Sequence, residues 1–139
     1  PVGTARLVLD SDLGFPLESY YNTRLPSDRE NGVEVSRLGV LPSHRGKKRD
    51  TSLAVLHSEY EWSKKKGLKY WYMFMPEKLT HAFSDFGAVF HELPEKELRE
   101  SHIKHRAPMK GYFKKTKAKP YILYLEELKE NLRHMKINW

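Results

Sequence analysis

Cysteine is absent from the 139 residues. Its absence excludes disulfides, thiol nucleophiles and thiolate metal sites together, and leaves the redox compartment open, with a cytoplasmic location as the default expectation. Long apolar runs are also missing. The longest, Tyr70-Trp71-Tyr72-Met73-Phe74-Met75, is far shorter than the ~20 residues that span a bilayer, so no membrane span is expected. The N-terminus lacks a charged-then-apolar signal segment. Seven histidines are present, but none stands in a His-Glu-x-x-His context, and His102 and His105 form an i,i+3 pair without an accompanying carboxylate motif. No metal site is expected from them. Gly-x-Ser-x-Gly is missing too, which removes the sequence context of a serine-nucleophile triad.

Acidic residues are comparatively scarce, 18 against 25 lysines and arginines, for a formal net charge of +7. Such a balance favours an acidic partner: nucleic acid, a phosphorylated cofactor, an anionic membrane or an acidic protein. The cations gather at residues 45–49, 64–69 and 104–119, so the positive field is patchy. The length fits one domain over residues 1–139, enough to bury roughly two-thirds of the unfolded surface without staples.

Local patterns give an order of elements. Residues 4–9 (TARLVL) alternate as a strand, whereas residues 10–32 carry Gly14, Pro16, Asn22, Pro26, Asn31 and Gly32 and read as a long loop with a short helix near Leu17. A strand follows over 33–41. Leu53, Leu56 and Tyr60 fall at helical spacing after Asp50 or Thr51 as cap, and Gly67 closes that helix. Residues 68–75 (LKYWYMFM) form an aromatic and aliphatic run broken only by Lys69, the pattern of a central strand buried on both faces. A short helix over 77–86 carries a Leu79, Ala82, Phe83, Phe86 stripe; strands follow at 88–93 and 120–125, and a terminal helix buries Leu125, Leu128, Leu132 and Met135. The segment 95–104 is ambiguous. A mixed α/β sheet flanked by helices on both faces accommodates this order.

The informative stretch is residues 33–53. A strand runs through a cation-rich turn, Ser43-His44-Arg45-Gly46-Lys47-Lys48-Arg49, into a helix start. Backbone amides and the helix dipole, roughly half a positive charge, converge there on an anion site. Glu34 and Arg37 lie three apart on the strand, and period-2 alternation sends them to opposite faces.

Glu34-Val35-Ser36-Arg37-Leu38-Gly39-Val40 followed by Pro42-Ser43-His44-Arg45-Gly46-Lys47 resembles the central strand, pyrophosphate turn and helix of the GNAT acyltransferase superfamily. The Glu-x-x-Arg pair is similar to that of the acyl-homoserine-lactone synthases and N-acyl amino acid synthases. The resemblance covers residue 4 to the terminal helix and implies a central, mixed, splayed sheet. The chain opens at what would be the third strand, so a preceding segment that shapes the acceptor pocket is expected to be missing. Lys48 and Asp50 stand where the acetyl-coenzyme-A enzymes have small residues, which makes close backbone approach to a diphosphate harder. A single phosphopantetheine phosphate demands less, and an acyl carrier protein is acidic, so a carrier-protein donor is favoured over acyl-CoA.

On that resemblance, Glu34 is the candidate base or the holder of the acceptor ammonium, with an ion pair to a neighbouring strand as its structural alternative. Arg37 is the candidate for an acceptor carboxylate. The backbone of Leu38, Val40 and Leu41 supplies oxyanion donors if the strands splay, and Arg45, Gly46, Lys47 and Lys48 hold the phosphate. Tyr72, Met73, Phe74 and Phe83 are the acyl-pocket candidates, set against a plain core role. No cofactor is tightly bound; the donor is acyl-phosphopantetheine or acyl-CoA, and the acceptor is a small amine. The implied activity is transfer of a fatty acyl group to the amine of an amino acid or derivative. An acetyl-CoA N-acetyltransferase and a non-catalytic basic module stand as alternatives. Residues 110–119, with Tyr112 and Phe113 among lysines, suit single-stranded nucleic acid, a carrier-protein contact or a solvated loop; nucleic acid is the least favoured partner.

Overall fold

The computed structural model describes residues 1–45, 50–94, 97–98 and 115–136. The chain runs through β1 (Gly3–Leu9), β2 (Tyr21–Asn22), β3 (Gly32–Val40), α1 (Asp50–Lys65), β4 (Tyr70–Pro76), α2 (Glu77–Ser84), β5 (His91–Glu92), β6 (Glu97–Leu98), β7 (Ala118–Tyr124) and α3 (Leu125–His134). Five strands form one sheet in the order β1-β3-β4-β7-β5, and β2 pairs β6 in a separate ribbon. Only β3 and β4 run parallel among these pairs, joined by α1 as the crossover.

Alternation along β4 creates two layers. Trp71, Met73 and Met75 enter a core with Val33, Val35, Leu56, Leu123 and Leu128, whereas Tyr72 and Phe74 face Phe15, Leu17, Tyr21, Leu93 and Ile122 on the other side. Helix α1 closes the first layer because Leu56 and Tyr60 share one stripe. Its end is fixed by Gly67 at φ +69°, where Gly67 N–H donates to Lys64 O at 3.1 Å and Leu68 N–H to Ser63 O at 3.0 Å, a Schellman closure.

The long loop closes the second layer. Phe15 and Leu17 are fully buried, each burial worth ~2 kcal/mol by transfer. Arg29 clasps the loop, donating to Glu18 Oε1 at 2.7 Å and to Asp10 Oδ1 and Oδ2 at 3.0 Å, with its guanidinium 5.1 Å from the Phe15 ring centroid. Burial pushes the Glu18 carboxyl upward, but hydrogen bonds from Arg29 and Phe15 N–H outweigh it and hold it below its ordinary value.

Several expectations are corrected in detail. The strand foreseen over 88–93 narrows to His91–Glu92, because Ala88 and Phe90 turn into the core after Gly87 takes φ +81°. Met135 lies past the end of α3 and is 45% exposed, and Leu79 is 38% exposed on α2. Helix α1 already includes Asp50 and Thr51, so its capping position, together with Gly46, Lys47 and Lys48, lies outside the described residues, as do His102, His105, Tyr112 and Phe113.

Gly32 is the tightest point of the second layer. A Cβ there would lie 2.7 Å from Tyr72 Cζ and 2.8 Å from its hydroxyl, and would overlap Cε2 as well. Tyr72 is fully buried against Phe15, ring centroids 4.8 Å apart, so it has nowhere to move. Gly32→Ala is expected to destabilise the fold by about 2 kcal/mol, read as a drop of roughly 7 °C in Tm; an unchanged Tm would show that the Tyr72 side chain yields.

Candidate functional site

Strands β3 and β4 pair only from Gly32↔Tyr70 to Val35↔Met73. Both then continue, β3 to Val40 and β4 to Pro76, each held on its outer edge: β3 by β1 up to Val40↔Gly3, β4 by β7 up to Pro76↔Ala118. Their inner edges therefore part and leave a V-shaped cleft. Leu41 N–H is committed to Val2 O at 2.9 Å on the outer side. Alternation then turns the amides of Leu38 and Val40 inward, toward the cleft. Of the three expected donors, Leu38 and Val40 thus have amides directed to the cleft, whereas the amide of Leu41 is spent on β1.

A bulge distorts β3 at the same level. Thr4 faces Gly39 while Arg6 faces Ser36, so Ala5 alone opposes Arg37 and Leu38. Arg37 takes φ +56°, an uncommon conformation for a side-chain-bearing residue and one that clusters at functional sites. It is exposed, with no hydrogen-bond or ion-pair partner among the described residues. The bulge breaks the simple alternation by which it was placed opposite Glu34.

Glu34 is 3% exposed and faces the second layer. Its Oε2 accepts Leu17 N–H at 2.8 Å. Burial pushes the carboxyl up to about 7, against the opposing effects of the Leu17 hydrogen bond and the Arg6 charge. The expected alternative was an ion pair with a neighbouring strand. Arg6 is that strand neighbour, but its Nε donates to Ser36 Oγ at 3.2 Å, and among the described residues Glu34 has no ion pair. Arg6 was not singled out from the sequence; its place in phase with Val8 on an alternating strand was the available signal.

At the end of β3, Arg45 folds back, Nε donating to Val40 O at 2.6 Å. That contact puts its guanidinium at the cleft mouth. The rest of the cation-rich turn is outside the described residues.

On the first-layer side of the cleft lies an apolar cavity of about 20 Å³. Met73 and Phe83 line it, with Trp71, Phe86, Phe90 and Leu123, and α1 contributes Leu53 and Leu56. Tyr72 and Phe74 do not: alternation turns them into the opposite layer, against Phe15 and Tyr21. The pocket expectation is corrected for those two. Leu53, Leu56 and Leu123 were legible only as core. Among the described residues no group of three His, Cys, Asp or Glu side chains converges as a metal site, and no described helix is long and apolar enough to cross a membrane.

Neither a protein-family model nor a curated protein matches the chain. Solved structures do. A CoA-dependent acyl-homoserine lactone synthase, BjaI, determined with SAM and isopentyl-CoA, superposes with a TM-score of 0.62 at 15% identity over 99% of this chain. MesI, a second CoA-dependent synthase, gives 0.59 at 18% identity over 99% of this chain. The chain spans 60% of the BjaI structure and 65% of MesI. Over the length they share, the mixed sheet and its flanking helices have the fold of these two acyl-homoserine lactone synthase structures.

Proposed function

We propose that the chain is the acyl-transferring part of a CoA-dependent N-acyltransferase that moves a short acyl group from a thioester to the amine of an amino acid or derivative. The observation that carries this reading is the cleft: β3 runs on past its last pair with β4, with inward-facing amides, beside an apolar cavity. An extended thioester arm can lie along the exposed edge of β3 as an added strand would. The Leu38 or Val40 amide then donates to the carbonyl oxygen as negative charge develops on it. The acyl chain drops into the first-layer cavity while the amine arrives from the second layer, where Glu34 lies. The amine nitrogen bonds to the carbonyl carbon, the amine proton passes to Glu34 directly or through one water, and the carbon–sulfur bond breaks to release a thiolate that takes up a proton, regenerating the Glu34 carboxylate when that proton is returned. Arg37, exposed and without a described partner, suits an acceptor carboxylate.

Cavity size supports a short chain. About 20 Å³ admits one or two water-sized groups, so a long fatty acyl group needs the aromatic walls to move. Donor identity follows the CoA dependence of BjaI and MesI; the carrier-protein donor has no such support and forms the other arm of the test.

The test is incubation with acyl-CoA thioesters from acetyl to dodecanoyl, their acyl-carrier-protein counterparts and pooled amino acids, with products read by mass spectrometry. N-acylated product from the short CoA thioesters is the expected result. Product only from carrier-protein donors reverses the donor assignment, and no product from any donor rejects catalysis by this chain.

A further inference from the structure

The cations of residues 64–69 border a groove that the cleft does not reach. The cleft opens beyond Val35↔Met73, whereas the groove lies at the other end of β4, where Tyr70 pairs with Tyr124. Tyr70 and Pro76 stand roughly 20 Å apart along that strand at ~3.3 Å per residue. Leu125 N–H donates to Lys69 O at 2.9 Å, which pins the start of α3 to the loop leaving α1. The groove between them has a volume of about 340 Å³, within the ~300–1,000 Å³ of small-molecule sites. Its floor is apolar and closed, Tyr60 and Leu125 being 4% and 6% exposed. Tyr124 is 40% exposed and stands edge to face with Tyr70, ring centroids 5.7 Å apart, so a braced aromatic surface remains open to solvent.

Three ammonium groups from three segments stand around it: Lys64 on α1, Lys69 on the loop into β4 and Lys129 on α3. One carboxylate, Glu126, joins them among the described lining residues. Each lysine rests against an acid: Lys64 Nζ on Glu61 Oε1 at 2.7 Å, Lys69 Nζ on Asp28 Oδ2 at 3.3 Å, and Lys129 Nζ on Glu126 Oε1 at 3.1 Å. All three lysines are about half exposed, and such surface pairs hold weakly and are screened by salt. Asp28 keeps the Tyr70 hydroxyl, 2.9 Å away, when Lys69 turns from it. The ammonium groups can therefore turn to a ligand of higher charge density, and several phosphates on one chain meet all three at once. We infer that the groove binds a nucleoside polyphosphate, its base stacked on Tyr124 and its phosphates shared among Lys64, Lys69 and Lys129. Stacking accepts any base, so the phosphates and the ring assign the class of ligand. Because the groove sits at the far end of the sheet, its occupancy does not depend on the acyl-transfer reading.

Calorimetric titration of ATP, inorganic tripolyphosphate and adenosine into the wild-type chain, a Lys64→Ala, Lys69→Ala, Lys129→Ala triple variant and Tyr124→Leu tests this. Wild type is expected to bind ATP about tenfold more tightly than tripolyphosphate, the stacked base supplying the difference, and adenosine more weakly than either. The triple variant should weaken both phosphate ligands about 30-fold. Tyr124→Leu should weaken ATP about tenfold and leave tripolyphosphate unchanged. Tm should move little in the lysine variants, and Lys129→Ala alone, with an expected loss of about threefold, carries the test if the triple variant unfolds. ATP bound equally by wild type and the lysine variants lies elsewhere, at the Arg45 turn for instance, and overturns the site. No binding of ATP, or tripolyphosphate bound as tightly as ATP, overturns it as well. A single-stranded oligonucleotide bound more tightly than ATP overturns the free-nucleotide assignment in favour of a nucleic acid.

Discussion

Glu34→Gln is expected to lower kcat/KM for acyl transfer by about 100-fold, the lower range for loss of a positioned general base. The amide keeps an oxygen to accept Leu17 N–H, as Glu34 Oε2 does at 2.8 Å, so the loop over the site stays in place. At pH 6 the native carboxyl is still mostly protonated, its value being pushed up to about 7, and Tm should change little on substitution. The pH profile separates chemistry from structure. A base acts when deprotonated, so the wild-type rate should climb as pH rises through about 7 and level above it, and the variant should lack that inflection. A variant with undiminished turnover and the same inflection would reduce Glu34 to the residue that anchors Leu17.

The second large effect concerns Glu59 on α1, which is 6% exposed and whose carboxylate oxygens have no hydrogen-bond partner among the described residues. Burial alone pushes it up to about 7 from 4.5. The folded state therefore holds a proton between about pH 4.5 and 7 that the unfolded chain has released, and stability falls as pH rises through that window. The slope integrates to about 3 kcal/mol, at 1.36 kcal/mol per pH unit. Above pH 7 that loss is complete and constant. Glu59→Leu replaces a buried charge by a hydrocarbon of similar length and should raise stability by about 3 kcal/mol at pH 8, or roughly 10 °C in Tm, and by much less at pH 5. Denaturant unfolding at both pH values measures it. Glu34 contributes in the same direction, so a residual pH dependence is expected in the variant. A gain equal at pH 5 and pH 8 would show that improved packing, not removal of ionisation, is responsible.

Much of the architecture was legible because it is written in local periodicity. The Leu53, Leu56, Tyr60 spacing gave α1, Gly67 gave its end, and the unbroken apolar run gave β4 as a strand buried on both faces. Met135 and Leu79 were misplaced because a hydrophobic stripe does not say where its helix stops or how far the sheet beneath extends. The β2–β6 ribbon was missed because two-residue strands far apart in sequence carry no periodic signal.

The site divides along the same line. Glu34, Arg37 and the strand-to-turn passage into Arg45 stand in the sequence as a spaced motif. Which amides face the cleft could not be read there, since that depends on Leu41 being spent on Val2 and on a bulge that β1 imposes at Arg37. Nor could the cavity wall be sorted from the rest of the core. In Tyr70 to Met75 every residue is apolar or aromatic, so composition cannot say which face meets helices α1 and α2 and which meets the Phe15 loop.

The sequence by itself determined the longer strands and helices, their order and the Glu-x-x-Arg strand, because each follows from spacing within one segment. Tertiary structure alone decided where β3 leaves β4, and that Met73 and Phe83 rather than Tyr72 and Phe74 border the cavity. Those properties belong to the register between strands that pair across up to roughly fifty residues of chain, and register is fixed by burial and hydrogen-bond satisfaction summed over the whole sheet.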